Sequence, residues 1–227
     1  MQIQFIGGVG TVTGSKTILK YKGYSLLIDC GLFQGLKENR LKNWQPFIHD
    51  PEKIDAIILT HAHLDHCGYI PRFLAEGYKG EIYCSKATFS LCKIILPDSG
   101  YLQEEEARFR NKTKSTKHHP ALPLYTEEQA KLSLDSFVTI ALHQPFKLGP
   151  FSVEYLDAGH ILGACSVKIT SPEGKSILFS GDLGRYNDLL MTSPENRSPS
   201  NYVVMETTYG NRLHSKEDPL KVLKNIL

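Results

Sequence analysis

Paired cysteines are missing from this chain. Its five cysteines, Cys30, Cys67, Cys84, Cys92 and Cys165, stand singly with no C-x-x-C spacing, which argues against both a cysteine zinc knuckle and the disulfide framework of a small secreted domain. A reducing cytoplasm is the expected location. Long apolar runs are missing too: no window approaches the roughly 20 apolar residues needed to span a bilayer. The N-terminal Met1-Gln2-Ile3-Gln4-Phe5-Ile6 also lacks the basic region that opens a signal peptide. A soluble protein with no membrane partner is expected. Charge of one sign is scarce, because 26 Lys and Arg against 24 Asp and Glu leave a formal net charge of +2. So mild a balance does not identify a nucleic-acid partner. Internal repeats and low-complexity linkers are absent, and the single tryptophan, Trp44, reads as core or edge packing.

What is present fits one full-sized core, since 227 residues suffice for a domain, or for a domain and the start of a second. Ile3 to Ile6 reads as a strand running into the glycine-rich turn Gly7 to Ser15 and a second strand, Lys16 to Tyr21. That turn matches neither nucleotide-loop pattern, so its glycines are expected to let backbone pass close to another element. Tyr24 to Asp29 and Ile54 to Thr60 are short buried runs that end in a polar residue before a glycine-rich or histidine-rich loop. Strands deliver chemistry to a sheet edge in this way. Further strands are expected over 80–84, 151–156, 166–170, 176–180 and 202–205. Helices are expected over 71–76, 86–96 and 103–110, and from Thr126, where Gln129 three residues on completes a capping box. Many strands with helices outside predict a layered α/β sandwich. From Ser215 the apolar residues Leu220, Val222, Leu223, Ile226 and Leu227 recur at helical spacing. An uncovered face there is expected to drive homo-oligomer formation and suggests that the chain is part of a longer protein.

The decisive feature is His61-Ala62-His63-Leu64-Asp65-His66. Three imidazoles and a carboxylate within six residues, directly after a buried strand, suit divalent metal ions, with zinc the natural match for these donors. His61 and His63 can point one way and Asp65 and His66 another, which predicts two adjacent ions. One loop cannot complete two coordination spheres. Asp157-Ala158-Gly159-His160 and Ser180-Gly181-Asp182 each follow an apolar run, so His160 is expected as a ligand and Asp182 as a bridge. Asp29 reads either as a turn former or as a carboxylate that orients a ligating imidazole by accepting its other N–H.

The ordered set Asp29, the H-x-H-x-D-H loop, His160 and Asp182 resembles the metallo-β-lactamase-fold hydrolases, over nearly the whole chain. Within them, Met205-Glu206-Thr207-Thr208-Tyr209-Gly210-Asn211-Arg212-Leu213-His214 resembles the glutamate motif that opens the β-CASP insertion of RNA-processing nucleases. Asp98 to Glu106 and Pro123 to Thr126 resemble that group too. The resemblance implies an αββα fold, with the metallo-β-lactamase domain over 1–205 and the start of a β-CASP domain over 206–227. It implies His61, His63 and His160 on one ion, Asp65 and His66 on the other, Asp182 between them, and catalytic roles for Asp65 and Glu206. Two further histidines of the family pattern, one a ligand of the second ion and one the acid-base partner of Glu206, have no counterpart in these 227 residues. The resemblance therefore leaves open whether this chain alone is active.

The expected activity is a zinc-dependent phosphodiesterase acting on single-stranded RNA, with DNA open as the other substrate. Arg108 to His119, with five Lys/Arg and no acid, supplies a local cationic segment of the kind that neutralises phosphates. Arg108, Arg110, Lys112, Arg212 and His214 are the expected substrate contacts. A small-molecule metallo-hydrolase of thioesterase or lactonase type, and a non-catalytic RNA-binding or protein-binding member, are the rival readings, because a fold does not fix a function.

Overall fold

The computed structural model describes residues 1–195, 199–213 and 217–226. The first sheet comprises β1 (Gln2–Gly7), β2 (Lys16–Tyr21), β3 (Tyr24–Ile28), β4 (Ala56–Ile58), β5 (Glu81–Ser85) and β6 (Phe137–Ile140), side by side in that order. The second comprises β7 (Phe146–Leu148), β8 (Phe151–Asp157), β9 (Cys165–Thr170), β10 (Ser176–Phe179) and β11 (Tyr202–Val204), again in chain order. Around them lie α1 (Lys37–Lys42), α2 (Leu64–Cys67), α3 (Ile70–Ala75), α4 (Lys86–Thr113), α5 (Glu127–Ser133) and α6 (Pro219–Ile226).

The pleat sorts the apolar residues into two cores. Leu19, Leu26, Ile28 and Ile58 point at the second sheet and meet Phe151, Val153, Tyr155, Val167, Ile169, Ile177 and Phe179. Their neighbours Ile18, Leu27, Ile57 and Ile82 point the other way, onto Ile70 and Phe73 of α3, Cys92 and Leu96 of α4 and Ala130 of α5. A sheet covered on both faces explains why β3 and β4 read as continuous apolar runs rather than alternating ones. Fully burying each such Leu, Ile or Phe contributes about 1.5–3 kcal/mol. The two-sheet α/β sandwich expected from the sequence is thus present.

The glycine-rich turn after β1 behaves as expected: a Cβ on Gly7 would lie 1.8 Å from the Gly14 carbonyl oxygen, and one on Gly14 would lie 2.5 Å from the Phe33 ring. The capping box at α5 is complete, with Thr126 Oγ1 accepting from Gln129 N and Gln129 Oε1 accepting from Thr126 N. The helical prediction needs one correction. The two expected helices over 86–96 and 103–110 are a single α4 that passes through Pro97. Proline removes one helical hydrogen bond, but tertiary contacts hold the next turns. Gly100 lies so close to the Thr126–Glu127 backbone that a Cβ would come within 2.7 Å. Gln103 and Glu104 accept from the amides of Leu124 and Glu127. The expected C-terminal helix is observed as α6, with Leu220, Leu223 and Ile226 exposed. Among the described residues no helix is long and apolar enough to cross a membrane.

Candidate metal centre

Five strands end at one rim of the sandwich. Asp29 follows β3, His61 and His63 follow β4, His160 follows β8, Asp182 follows β10 and Glu206 follows β11. Asp29 sits at φ +58°, in the left-handed region that few non-glycine residues adopt. Its own amide donates to Ile58 O at 2.9 Å, and its carboxylate accepts from Thr60 N (2.8 Å), Thr60 Oγ1 (3.0 Å) and His66 Nδ1 (2.7 Å). It is both the turn former and the partner of an imidazole, so the two readings left open by the sequence hold together. Helix α2, which carries Asp65 and His66, is clamped through its carbonyls. Leu64 O accepts from Leu32 N, Asp65 O from Ser15 N and His66 O from Cys30 N, at 2.7–2.8 Å. The fit requires glycine at position 31, where a Cβ would lie 1.6 Å from Asp65 O.

The first group of donors is His61, His63, His160 and Asp182, whose ligand atoms all lie within 4.8 Å of one another. Thr60 Oγ1 must donate to the Asp29 carboxylate, so at 3.0 Å it accepts the Nδ1–H of the fully buried His61. That fixes the tautomer and leaves the lone pair of His61 Nε2 facing the cluster. His63 Nδ1 is 3.1 Å from it, His160 Nε2 is 3.2 Å from His63 Nδ1, and Asp182 Oδ2 is 3.5–3.7 Å from His160 and His61. Zinc bonds of about 2.0–2.1 Å would set the corners of a tetrahedron roughly 3.3–3.4 Å apart. The side chains present therefore fit a divalent cation. Burial, reinforced by the nearby His66, holds the His61 imidazole well below its ordinary pKa, and burial together with His160 lowers that of His63. Both are neutral and ready to ligate.

Asp65 and His66 form the second group, on the other side of Asp182. With Nδ1 committed to Asp29, His66 turns Nε2 toward Asp182 Oδ1 at 3.3 Å and Asp65 Oδ2 at 3.9 Å. Burial disfavours its charge, but the Asp29 and Asp182 carboxylates overcome that penalty and push its pKa up to about 10. Burial also works against the Asp182 charge, yet His66, His61 and His160 hold that carboxyl well below its usual range. Burial raises the pKa of Asp65, partly opposed by His66.

The other expected site residues lie elsewhere. Glu206 sits beside the Asp182 loop, accepting from Leu183 N and Thr208 N at 3.1 Å each, so its carboxylate ties that loop to the exit of β11. Arg212 is exposed in the following turn, and His214 lies outside the described residues. Arg108 to Thr113 form the last turns of α4, with Arg108 paired to Glu105 and Arg110 to Glu106. The other end of α4 touches the centre, because Ser85 Oγ and Thr88 Oγ1 both donate to Gly163 O at 2.8 Å, three residues beyond His160. At about 1.5 Å per residue, Arg108 lies roughly 33 Å along the helix from that contact. Sequence reasoning passed over Thr60 and Ser15, the bracing hydroxyls of Asp29. Thr60 had one cue, its place directly before His61.

Residues 10–219 match the model of the metallo-beta-lactamase superfamily. The chain belongs to that family. It is 34% identical over 214 residues to Ribonuclease TTHA0252 of Thermus thermophilus, covering 94% of this chain and 45% of that one. It is 30% identical to Cleavage and polyadenylation specificity factor 73 of Drosophila melanogaster, covering 96% of this chain and 30% of that one. With Endoribonuclease YSH1 of Saccharomyces cerevisiae the identity is 28%, over 92% of this chain and 26% of that one. The chain thus spans less than half the length of these relatives. The superfamily read from the histidine motif is the one found, and the relatives include proteins named for ribonuclease activity.

Proposed function

We propose that this protein is a zinc-dependent phosphodiesterase that cleaves single-stranded RNA. The observation that carries the reading is the convergence of His61 Nε2, His63 Nδ1, His160 Nε2 and Asp182 Oδ2, beside a second group in which Asp65 and His66 face Asp182 Oδ1. His61, His63 and His160 would hold one ion, Asp65 and His66 the other, with Asp182 shared by its two oxygens. Bound there, divalent ions supply Lewis acidity toward a phosphate oxygen and an ionised water at neutral pH.

The chain's own residues do the rest. Asp65, on the open side of α2, accepts a hydrogen bond from the attacking water and aligns it with the phosphorus, a role its raised pKa also suits to general-base catalysis. Asp29 keeps the His66 ring oriented through Nδ1, and Thr60 does the same for His61. Glu206 anchors the Asp182 loop by way of Leu183 N. The catalytic role expected for Glu206, and the β-CASP domain expected from position 206 onward, belong to this proposal.

The test is cleavage of a labelled single-stranded RNA, with metal content per chain measured alongside, for the wild type and His63→Ala. Zinc-dependent cleavage that disappears on chelation and in the variant is the expected result. A zinc-loaded protein that leaves RNA intact but hydrolyses a thioester or lactone would move it to the small-molecule hydrolases. Zinc without any turnover would make it a non-catalytic member.

A further inference from the structure

Lys16, the first residue of β2, is a cation buried where an apolar residue would cost the fold less. It is 4% exposed. Its Nζ donates to Gly31 O and lies between two rings, 4.6 Å from the centroid of Phe33 and 4.8 Å from that of Tyr69. No carboxylate pairs with it among the described residues. Burial, partly offset by the Cys30 thiol, lowers its pKa to about 8. That direction marks a desolvation penalty larger than the gain from the groups around the ammonium. A methionine, with the same stem and no charge, would not carry that penalty.

What the ammonium holds is the turn from which α2 hangs. Gly31 is at the middle of that turn. The amides on either side of it, Cys30 N and Leu32 N, donate to His66 O and Leu64 O, and its own amide donates to Ser15 O at 3.0 Å. Its Cα packs so close to Asp65 O that a Cβ could not be placed there. Tyr69, two residues past the end of α2, donates its amide to Cys30 O at 2.9 Å. Phe33 is braced from the other side, since its amide donates to Asn43 Oδ1 at 2.9 Å and its carbonyl accepts from Asn43 Nδ2 at 2.8 Å. The next residue, Trp44, is 51% exposed, which overturns the core or edge packing read from the sequence. Lys16 Nζ thus joins the turn, at Gly31 and Phe33, to the far end of α2, at Tyr69. His160 and Asp182 are delivered separately, by β8 and β10 of the second sheet.

We infer that Lys16 is a positioning residue for the second half of the metal centre, its ammonium pinning the Gly31 turn against Tyr69 and so fixing Asp65 and His66 opposite Asp182. The inference rests on the two-ion reading above. It predicts a split: loss of the ammonium loosens α2 and the second ion while the fold and the three-histidine half stay as they are.

Lys16→Met tests this, first in the zinc-free protein and then by calorimetric zinc titration. Without zinc, hydrogen exchange at the amides of Ser15, Cys30 and Leu32, the three donors into α2, is expected to quicken by about tenfold or more, while Val167 and Ile169 in β9 exchange as in the wild type. Melting temperature is expected to fall by no more than about 4 °C, because relief of the buried charge offsets the donor lost to Gly31 O. Zinc beside His66, measured alone by adding His160→Ala to each chain, is expected to bind about tenfold more weakly. The three-histidine half of the single variant should keep its affinity. Faster exchange at all five amides together, or zinc lost from both halves alike, would make Lys16 a structural residue and overturn the inference. Unchanged exchange at Ser15, Cys30 and Leu32 would overturn it too. A wild type that binds one zinc or none would overturn the two-ion reading, and the inference with it.

Discussion

The two halves of the metal centre share Asp182 but are built differently. On the His61, His63 and His160 side, three imidazoles from two strand ends already meet at 3.1–3.2 Å, and burial keeps the innermost one neutral. On the Asp65 and His66 side there are fewer donors, and His66 holds a proton through Asp29 and Asp182. The first half is preorganised for a cation, whereas a cation beside His66 would have to displace a proton. Asp182 suits both, because Oδ2 faces the three histidines and Oδ1 faces His66.

Removing a donor from the preorganised half should have the largest effect. His160 is the donor to choose, since its side chain is 26% exposed and lies outside the core, so His160→Ala should leave the metal-free fold intact. RNA cleavage is expected to fall by more than about 100-fold, because even the partners behind metal ligands are worth roughly 10- to 100-fold. Metal content should fall by one ion per chain. If cleavage survived with that ion missing, the comparison would be inverted and the chemistry would belong to Asp65 and His66.

Asp29→Asn sharpens the comparison at the other half. The His66 pKa of about 10 lies above its unfolded value of 6.5, so this proton stabilises the metal-free protein fully below pH 6.5. That contribution is lost as pH rises through 10. A cation entering beside His66 near neutrality displaces the proton, so affinity there should climb with pH up to about 10, while the three-histidine half shows no such climb. With Asn at position 29 the proton is held less tightly and the climb should end at lower pH. Zinc affinity of the second half should also drop by roughly 10- to 100-fold as the ring loses its orienting carboxylate. Calorimetric zinc titrations in two buffers of different ionisation enthalpy count the protons released. Equal proton counts for wild type and variant would sink this account of His66.

Much of this asymmetry was legible before the fold. Asp29, the His61 to His66 loop, His160 and Asp182 each follow an apolar run, and a strand ending in a ligand-type residue among glycines is a strong local signal. The braces were not legible, because Thr60 and Ser15 are ordinary residue types whose partners are set only when β2, β3 and β4 align. Helix α4 was divided in the sequence reading because Pro97 and Gly100 are breakers locally, while the contacts that override them come from 124–127. Helix α1 and strands β6 and β7 span only three to six residues and carry too little periodicity to stand out. The neutralisation of Arg108 and Arg110 was visible in principle, since Glu105 and Glu106 precede them by three and four residues on a helix.

That last point sets the smallest expected effect. Exposed ion pairs of this kind are worth about 0–1 kcal/mol, so Arg108→Glu/Arg110→Glu should change stability little. It should also leave zinc binding at both halves unchanged, because the pairs lie roughly 33 Å along α4 from the turn that touches the His160 loop. RNA affinity is expected to stay within about twofold, with the salt slope preserved, because cations already paired with glutamates release few counterions. Anisotropy of a fluorescent single-stranded RNA over a salt series measures this. A slope that fell by about 1 or more, with metal content intact, would show that RNA bound at the metal centre runs toward the far end of α4.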